Sequence, residues 1–271
     1  MIRKLTQAEL DALIGTIERE RHFLYYSYLT NRRPYTAHYG LFSDDGVLLG
    51  VLAYFTGLSF HAFSVYPVQE SFRIQPLLPF MQQELNLPVD AVGNFIITEE
   101  EMTLLAPQLA FVKPPKPLLL MKHVDQDAVL PEDRQVVRLG PSDYERIKSK
   151  MAELNTMAFS REELQHPFFG ITEQEDLIAV GGYHVYSEDY VELGNIGTDV
   201  LRRRQGLGRR ICAELTRQGR AITPHVYLNV LEDNTAAIGL YHSLGYEVIC
   251  KQYIAEFALC GSAHNKTPQT L

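Results

Sequence analysis

Apolar and polar positions along this chain repeat with two different periods, which predicts both strands and helices. Some stretches show the two-residue alternation of a strand, and others repeat apolar residues every three or four positions, as on one face of a helix. After residue 134 the pattern predicts the following order: strand 135–139, helix 143–153, short helix 161–166, strands 168–173, 176–186 and 190–198, a glycine-containing turn, a helix, strand 225–230, a second helix, and strands 246–250 and 252–259. This order predicts a mixed α/β fold.

Four Ser/Thr-x-x-Glu boxes predict where helices begin. In such a box the N-cap hydroxyl accepts from the backbone N–H three residues later, and the glutamate accepts from the N-cap N–H. The boxes are Thr6–Glu9, Thr98–Glu101, Ser142–Glu145 and Ser160–Glu163.

The length of 271 residues predicts two domains, because a single domain usually has about 150. A polar stretch from Asp125 to Arg134 separates two regions richer in apolar residues. We therefore expect an N-terminal domain at 1–124, a linker at 125–134, a second domain at 135–260, and a loose tail at 261–271.

Composition narrows the function classes. Hydrophobic residues make up 46% of the chain and charged residues 21%, with a net charge of −8. This predicts a globular protein for which nucleic acid is not an expected partner. An apolar run of 18 residues and a secretion signal are both missing, which predicts no membrane span. The three cysteines show neither metal nor disulfide spacing, so we expect a cytoplasmic protein without a bound metal.

One short segment is typical of an anion site. Arg203 to Gly208 reads R-x-x-G-x-G and lies between a predicted strand and a predicted helix. Gly206 and Gly208 carry no side chain that would block a phosphate from the backbone N–H groups at the helix start. Residues 202–220 hold seven arginines and one acid, a local charge of +6. The glycine spacing differs from that of a Rossmann fingerprint, and the lysine of a Walker loop is absent; a plain turn before a basic helix remains the simpler alternative.

A second motif follows at a fixed separation. After the predicted strand, Asp233 or Asn234 can cap a helix, and Gly245 fits the position that ends it. Ile238, Tyr241 and Leu244 recur at helical spacing, so Tyr241 shares a face with core residues.

With both motifs in place, residues 135–260 resemble the GNAT superfamily of acyl-coenzyme A N-acyltransferases, and most closely its glycine N-acyltransferase-like branch. The resemblance implies a GNAT-like fold and acetyl-coenzyme A, or another acyl-coenzyme A, as co-substrate. It implies that backbone groups of Ile196, Gly197 and Thr198 bind the pantetheine arm and the thioester, that Asn234 contacts the co-substrate, and that Tyr241 protonates the departing thiolate. It further implies that the pyrophosphate lies on the loop formed by Arg203, Arg204, Gln205, Gly206, Leu207, Gly208 and Arg209.

The general base is the point at which this chain departs from the family pattern. Some members carry a glutamate five residues before the asparagine, where this chain has Asn229, which cannot take a proton. Another branch places its base eleven residues before the loop arginine, which is Glu192 here. Glu192 could instead be the solvent-facing residue of an alternating strand. Tyr241 could be only a core aromatic, and Asn234 only a helix cap.

The N-terminal half carries a weak internal repeat. A shift of 130 positions places residues 39–49 over 169–179 and Arg73–Leu78 over Arg203–Gly208. In that register Pro76 and Leu78 stand where the second domain has its glycines, and proline has no N–H. We therefore expect two tandem GNAT-like domains, the first a degenerate copy without a cofactor loop.

The sequence thus predicts an N-acyltransferase that moves an acetyl or other acyl group to a primary amine on a small molecule or peptide. A catalytically silent acyl-coenzyme A-binding sensor or scaffold is the alternative, because the usual glutamate is replaced by Asn229.

Overall fold

The contacts of the chain define two compact units. The computed structural model describes residues 1–127, 130–154 and 158–259. Met1–Thr56, Phe60–Lys116 and the described residues from Tyr253 onward form the first unit; Gly57–Ser59 and Pro117–Gln252 form the second. The predicted tail at 261–271 lies outside the described residues.

The first unit is a sheet with helices, and its main elements follow one another in a simple order. They are β1 (Ile2–Lys4), α1 (Gln7–Ile14), α2 (Phe23–Leu29), β2 (Thr36–Phe42), β3 (Leu48–Phe55), β4 (His61–Pro67), α3 (Leu77–Glu84), β5 (Val92–Thr98) and α4 (Glu99–Leu105). Strands β1 to β4 pair in antiparallel fashion, and β4 pairs with β5 in parallel fashion.

The second unit repeats that order. Its elements are β6 (Lys116–His123), β7 (Val137–Leu139), α5 (Tyr144–Glu153), β8 (Phe168–Glu173), β9 (Asp176–Tyr186), β10 (Val191–Thr198), α6 (Leu207–Arg220), β11 (Val226–Leu231), α7 (Thr235–His242) and β12 (Tyr246–Ala258), with a 3₁₀ helix at Arg161–Gln165 before β8. Strands β7 to β10 pair in antiparallel fashion, and β10 pairs with β11 in parallel fashion.

The two units therefore share one plan, as the weak repeat in the sequence suggested. Helix α3 begins at Leu77 and helix α6 at Leu207, which is the predicted shift of 130 residues. Strand β4 begins at His61 and β10 at Val191, again 130 residues apart. The elements themselves differ in length, since α3 has 8 residues and α6 has 14, which explains why the sequence repeat is visible in a short window alone.

In each unit, the strand that pairs with the second strand of the parallel pair comes from a part of the chain that the sequence assigned to the other domain. Strand β6 pairs along β11, from Lys122 opposite Tyr227 to Leu118 opposite Leu231. In the first unit, the strand next to β5 is β12, whose residues from Tyr253 belong to that unit. The units thus change over at Lys116/Pro117 and Gln252/Tyr253, whereas the sequence placed the boundary in the polar stretch 125–134 and kept 118–124 in the N-terminal domain. The polar residues indicate where the loop 125–134 lies, but the pairing of β6 with β11 determines that residues 118–124 belong to the second unit.

Three of the four predicted capping boxes form. Thr6–Glu9, Thr98–Glu101 and Ser160–Glu163 each bond reciprocally. The Ser142–Glu145 prediction is wrong: a 3₁₀ turn at Pro141–Asp143 precedes α5, and the N–H of Gly140 donates to Asp143 Oδ2 at 3.0 Å. Proline favours the first position of such a turn, so the N-cap is Gly140, two residues before Ser142. The predicted pair of strands 246–250 and 252–259 is one strand, β12.

Candidate active site

Strands β10 and β11 diverge halfway along their length. They pair only from Val191 opposite Val226 to Leu193 opposite Leu228. Beyond that point β11 continues to Leu231 with β6 as its partner, and β10 continues to Thr198 with β9. A wedge therefore opens between the two strands, and backbone groups on its edges are left for a ligand to bind.

A bulge shapes the β10 side of the wedge. Gly194 pairs with Gly182 and Gly197 pairs with Val180, so Asn195 and Ile196 face the single residue Gly181. Asn195 has a φ of 55°, in the left-handed region that asparagine tolerates better than most residues. Ile196, Gly197 and Thr198, at the end of β10, are partly exposed.

The glycine loop leads directly into helix α6. Arg204 has a φ of 61° and Gly206 a φ of 77°, and Gly206 is the N-cap of the helix. The first i→i−4 bond of α6 is donated by the Arg210 N–H to the Gly206 carbonyl at 3.1 Å. The N–H groups of Leu207, Gly208 and Arg209 precede that bond and point out of the positive end of the helix. A side chain on Gly206 would extend into open space, the space an anion on these N–H groups would use.

Carboxylates or a backbone carbonyl of the same chain bind four of the seven arginines of segment 202–220. Arg210 donates to Asp133 Oδ1 at 2.8 Å and Arg217 to Glu214 Oε1 at 2.6 Å. Arg202 pairs with Glu173, and Arg220 donates to the carbonyl of Gln126. Arg203, Arg204 and Arg209 remain at the loop itself. The local charge of +6 therefore overstates the field at the loop, and the backbone N–H groups form the larger part of the anion site.

The ends of β10, α6 and α7 meet at Gly208. A Cβ placed there would lie 3.7 Å from Thr198 Oγ1 and 3.8 Å from Leu240 Cδ1. Asn234 begins α7, where its side chain accepts from the Ala237 N–H at 3.2 Å, so the capping role considered for it is present. The residues that the resemblance assigned to the co-substrate thus come from three neighbouring elements of one unit.

Tyr241 lies in the core of the second unit, 8% exposed, on the buried side of α7. Its ring lies 6.0 Å from that of Tyr246, edge to face. Burial raises the pKa of the Tyr241 phenol, with a smaller contribution from Cys212. The hydroxyl therefore stays protonated at neutral pH, which is the state that a proton donor needs.

Glu192 and Asn229 are in direct contact. Asn229 Nδ2 donates to Glu192 Oε1 at 2.9 Å, from β11 to β10. Glu192 is 7% exposed, so the alternative of a solvent-facing strand residue is wrong. The Glu192 carboxylate therefore lies next to the position at which some family members carry a glutamate.

The sequence did not predict a second cluster of polar side chains. The carboxylate of Glu163 contacts His184 Nδ1 at 2.9 Å through Oε1 and accepts from Asn195 Nδ2 at 2.7 Å through Oε2. The capping-box pattern singled out Glu163, but no motif in the sequence pointed to His184. Their meeting depends on a bulge in each of two strands, which no local pattern signals.

Within the described residues, no group of three or more His, Cys, Asp or Glu side chains is arranged to hold a metal ion. In the same residues, no helix combines the length and apolarity needed to cross a bilayer.

Comparison with solved structures identifies the fold class. A Drosophila protein superposes with a TM-score of 0.71 at 14% identity, covering 95% of this chain and 98% of its own. A protein of the GNAT family from Novosphingobium aromaticivorans gives a TM-score of 0.67 at 17% identity, covering 89% and 99%. A tandem GNAT protein from the clavulanic acid biosynthesis pathway gives 0.62 at 13%, covering 97% and 99%. The predicted mixed α/β, GNAT-like fold is confirmed.

The family comparison agrees with this fold. Residues 135–246 match the model of the acetyltransferase (GNAT) family, so this part of the chain is similar to a GNAT acetyltransferase domain, a fold that supports acyl transfer from coenzyme A in general. No curated protein matches the sequence significantly. Membership in the glycine N-acyltransferase-like branch remains a prediction.

Proposed function

We propose that this protein is an N-acyltransferase that moves an acetyl group, or another small acyl group, from coenzyme A to a primary amine. The observation that carries the proposal is the contact between Glu192 and Asn229. It places a buried carboxylate at the wedge where β10 and β11 diverge, and a silent binding protein has no need of one there.

The glycine loop is the proposed binding site for the pyrophosphate of coenzyme A. The N–H groups from Arg204 to Arg209 and the three loop arginines supply donors and positive charge. Backbone groups of Ile196, Gly197 and Thr198 bind the pantetheine arm along the wedge and polarise the thioester carbonyl, and Asn234 contacts the co-substrate from the start of α7.

The amine reacts between Glu192 and Tyr241. An alkyl amine with a pKa of about 10 arrives protonated, and Glu192 takes a proton directly or through a water molecule. The nitrogen then attacks the thioester carbon, the C–S bond breaks, and the Tyr241 hydroxyl protonates the sulfur that leaves.

The acceptor is proposed to be a cationic amine, such as a polyamine, an amino sugar, a lysine side chain or a peptide N-terminus. The net charge of −8 attracts cations at long range, and both clusters at the wedge contain a buried carboxylate.

Thiol release from acetyl-coenzyme A, measured with a panel of these amines, tests the proposal. We expect release that requires both the protein and an amine. Tight binding of coenzyme A without thiol release from any amine of the panel would contradict the enzyme proposal and favour the sensor or scaffold. ATP that competes with coenzyme A at similar affinity would contradict both.

We further propose that the first unit carries no co-substrate. Pro76 is the N-cap of α3 with a φ of −69°, and the N–H of Ile74, just before it, donates to Gln108 Oε1 at 2.9 Å. The register of the strands places Ala62 and Ile96 where the second unit has Glu192 and Asn229.

A further inference from the structure

The second unit contains two strand irregularities that its internal repeat lacks. In the first unit, β3 and β4 pair residue for residue from Gly50 opposite Pro67 to Phe55 opposite Ala62. In the second unit, Glu192 pairs with Val185 and Leu193 with Tyr183, which leaves His184 as an inserted residue of β9. A few residues further along, the bulge at Asn195 and Ile196 inserts a residue in β10.

One carboxylate binds both irregular segments. Glu163, 5% exposed, holds His184 through Oε1 and Asn195 through Oε2. Two insertions in adjacent strands that converge on the same buried side chain indicate a built site, because bulges are retained where they redirect side chains. The first unit has no carboxylate at the position of Glu192, and it also lacks these insertions. The insertions therefore occur in the unit that carries the proposed base.

The imidazole of His184 lies against the backbone of Gly194. A Cβ at Gly194 would lie 2.2 Å from both Cδ2 and Nε2 of His184, so a side chain there would displace the ring. Gly194 follows Glu192 by two residues on the same face of β10, a separation of about 7 Å along the strand. Glu192 and His184 therefore lie on the same face, next to the wedge.

The groups around His184 leave its environment acidic. The polar groups on this face are Glu163 from the 3₁₀ helix and Glu192 and Asn195 from β10. The apolar groups on the same face are Ile147 and Met151 from α5 and Phe168 from β8. Helix α6 covers the opposite face through Ile211 and Leu215. Two carboxylates are the ionisable groups in this set. In the neutral imidazole, the contact of Nδ1 with the Glu163 carboxylate makes Nδ1 the donor and Nε2 the proton acceptor, and both carboxylates stabilise the imidazolium that forms when Nε2 takes a proton.

We propose that His184, oriented by Glu163, accepts the second proton that the acceptor amine loses, at the site built by the two strand insertions. The inference rests on the proposed function, because it needs an amine at the wedge.

The chemistry requires two proton acceptors. An alkylammonium loses one proton before its lone pair can attack, and the nitrogen loses another after the C–N bond has formed and made it cationic. Glu192 takes the first proton and His184 Nε2 the second. The electron pair of the breaking C–S bond goes to sulfur, which Tyr241 protonates. One amine proton then replaces the Tyr241 proton by way of solvent, and the other is released. His184, 17% exposed, can exchange with solvent in each cycle.

Replacing His184 tests this role. His184→Asn keeps a donor for Glu163 and removes the proton acceptor. We expect kcat to fall about 10- to 1000-fold, with the KM for acetyl-coenzyme A within about threefold of wild type. The ionisation of the imidazole should disappear from the low-pH limb of the plot of kcat against pH. His166→Asn, at the end of the same 3₁₀ helix, is the matched control and should keep the wild-type pH profile.

Two further variants separate a proton acceptor from a structural contact. In His184→Ala, the space over Gly194 admits free imidazole. Added imidazole should raise the rate of this variant at least about tenfold over its rate without imidazole. In Glu163→Gln, the midpoint of the low-pH limb should move to lower pH, because the imidazolium loses its counter-charge.

Each outcome has a defined meaning. Amine-dependent thiol release by wild type, together with wild-type kcat and pH profile in His184→Asn, would overturn the inference and leave the proposed function standing. A loss of activity that imidazole does not restore, with an unchanged pH profile, would make His184 a structural residue. Absence of thiol release by wild type would overturn the proposed function and the inference with it.

Discussion

At the scale of single residues, the buried polar groups of the second unit differ in their partners. Burial raises the pKa of Tyr241, so its hydroxyl stays protonated at neutral pH. Glu192 is buried too, and it accepts a hydrogen bond from Asn229. In the proposed mechanism Tyr241 is the proton donor and Glu192 a proton acceptor.

Removing the Tyr241 hydroxyl separates its chemical role from its packing role. We expect Tyr241→Phe to lower kcat by about 10- to 1000-fold with little change in coenzyme A affinity, because the ring still fills the core. Steady-state kinetics and calorimetric titration measure the two quantities. If stability falls in proportion to activity, Tyr241 acts only as a core aromatic.

Neutralising Glu192 tests the proposed base. Glu192→Gln preserves an acceptor for Asn229 but cannot take a proton, so we expect lower turnover and the loss of this carboxylate's part of the acidic limb of the pH–rate profile. Asn229→Ala, which leaves the carboxylate in place, is the matched variant and should retain the limb. Wild-type rates for Glu192→Gln from about pH 6 to about pH 9 would place the base elsewhere.

A buried histidine of the first unit makes stability depend on pH. Burial lowers the pKa of His38 to about 4, with smaller effects of Arg33 and Lys4. As pH falls below about 6.5, the unfolded chain takes up a proton that the folded chain refuses, so stability present above about 6.5 is lost down to about 4.

We expect this site to contribute at most about 3 kcal/mol to the pH dependence of the unfolding free energy over that window. Denaturant titrations of wild type and His38→Asn at several pH values measure it, and the variant should show the shallower slope. His61→Asn, on strand β4 of the same unit, is the control. Equal slopes for wild type and His38→Asn would rule out His38 as the cause.

At the scale of elements, the important feature is how a strand passes into a helix. Strand β10 separates from β11 after Leu193, bulges at Asn195, and leads through the glycine loop into α6. The φ of 77° favours glycine at the N-cap of α6, and a side chain there would meet open space. In the proposed function the pyrophosphate occupies that space.

Placing a side chain on that loop should abolish binding. Gly206→Val projects a branched side chain into the space of the pyrophosphate, and we expect calorimetry to detect no coenzyme A binding. The left-handed backbone costs about 1 kcal/mol or somewhat more for such a residue. Gly46→Val has the same cost at a φ of 80° and also meets open space, so it controls for strain and should bind normally. Unchanged affinity in Gly206→Val would contradict the loop assignment.

At the scale of the whole molecule, one plan of elements is used twice with different outcomes. The second unit has the glycine loop, the polar pair and both strand insertions. In the first unit Pro76 and Leu78 replace the glycines, and Leu78 is buried. Each unit forms a hydrophobic core on this plan, whereas the glycine loop, the polar pair and the strand insertions are features of the second unit.

We therefore expect one coenzyme A per chain. Titration calorimetry of the full chain should give a stoichiometry of one for wild type and none for Gly206→Val. A stoichiometry of two, or one site retained in Gly206→Val, would show that the first unit binds the co-substrate.

Much of the second unit could be predicted from the sequence by itself. Periodicity fixed the order of strands and helices, because burial on one face is a local pattern. The glycine loop, Asn234 and Tyr241 were found because each belongs to a short motif at a turn or on one helix. Even the repeat was visible, since α3 and α6 begin 130 residues apart, as predicted.

Only the tertiary structure decided which distant residues meet. Glu192 and Asn229 are 37 residues apart, and the sequence presented them as alternatives, yet they share a hydrogen bond because their strands are neighbours. Glu163, His184 and Asn195 come together through insertions that shift the register by one residue, and the unit boundary follows the pairing of β6 with β11. A sequence determines local periodicity directly, whereas strand register and partner choice are set by the packing of the whole sheet.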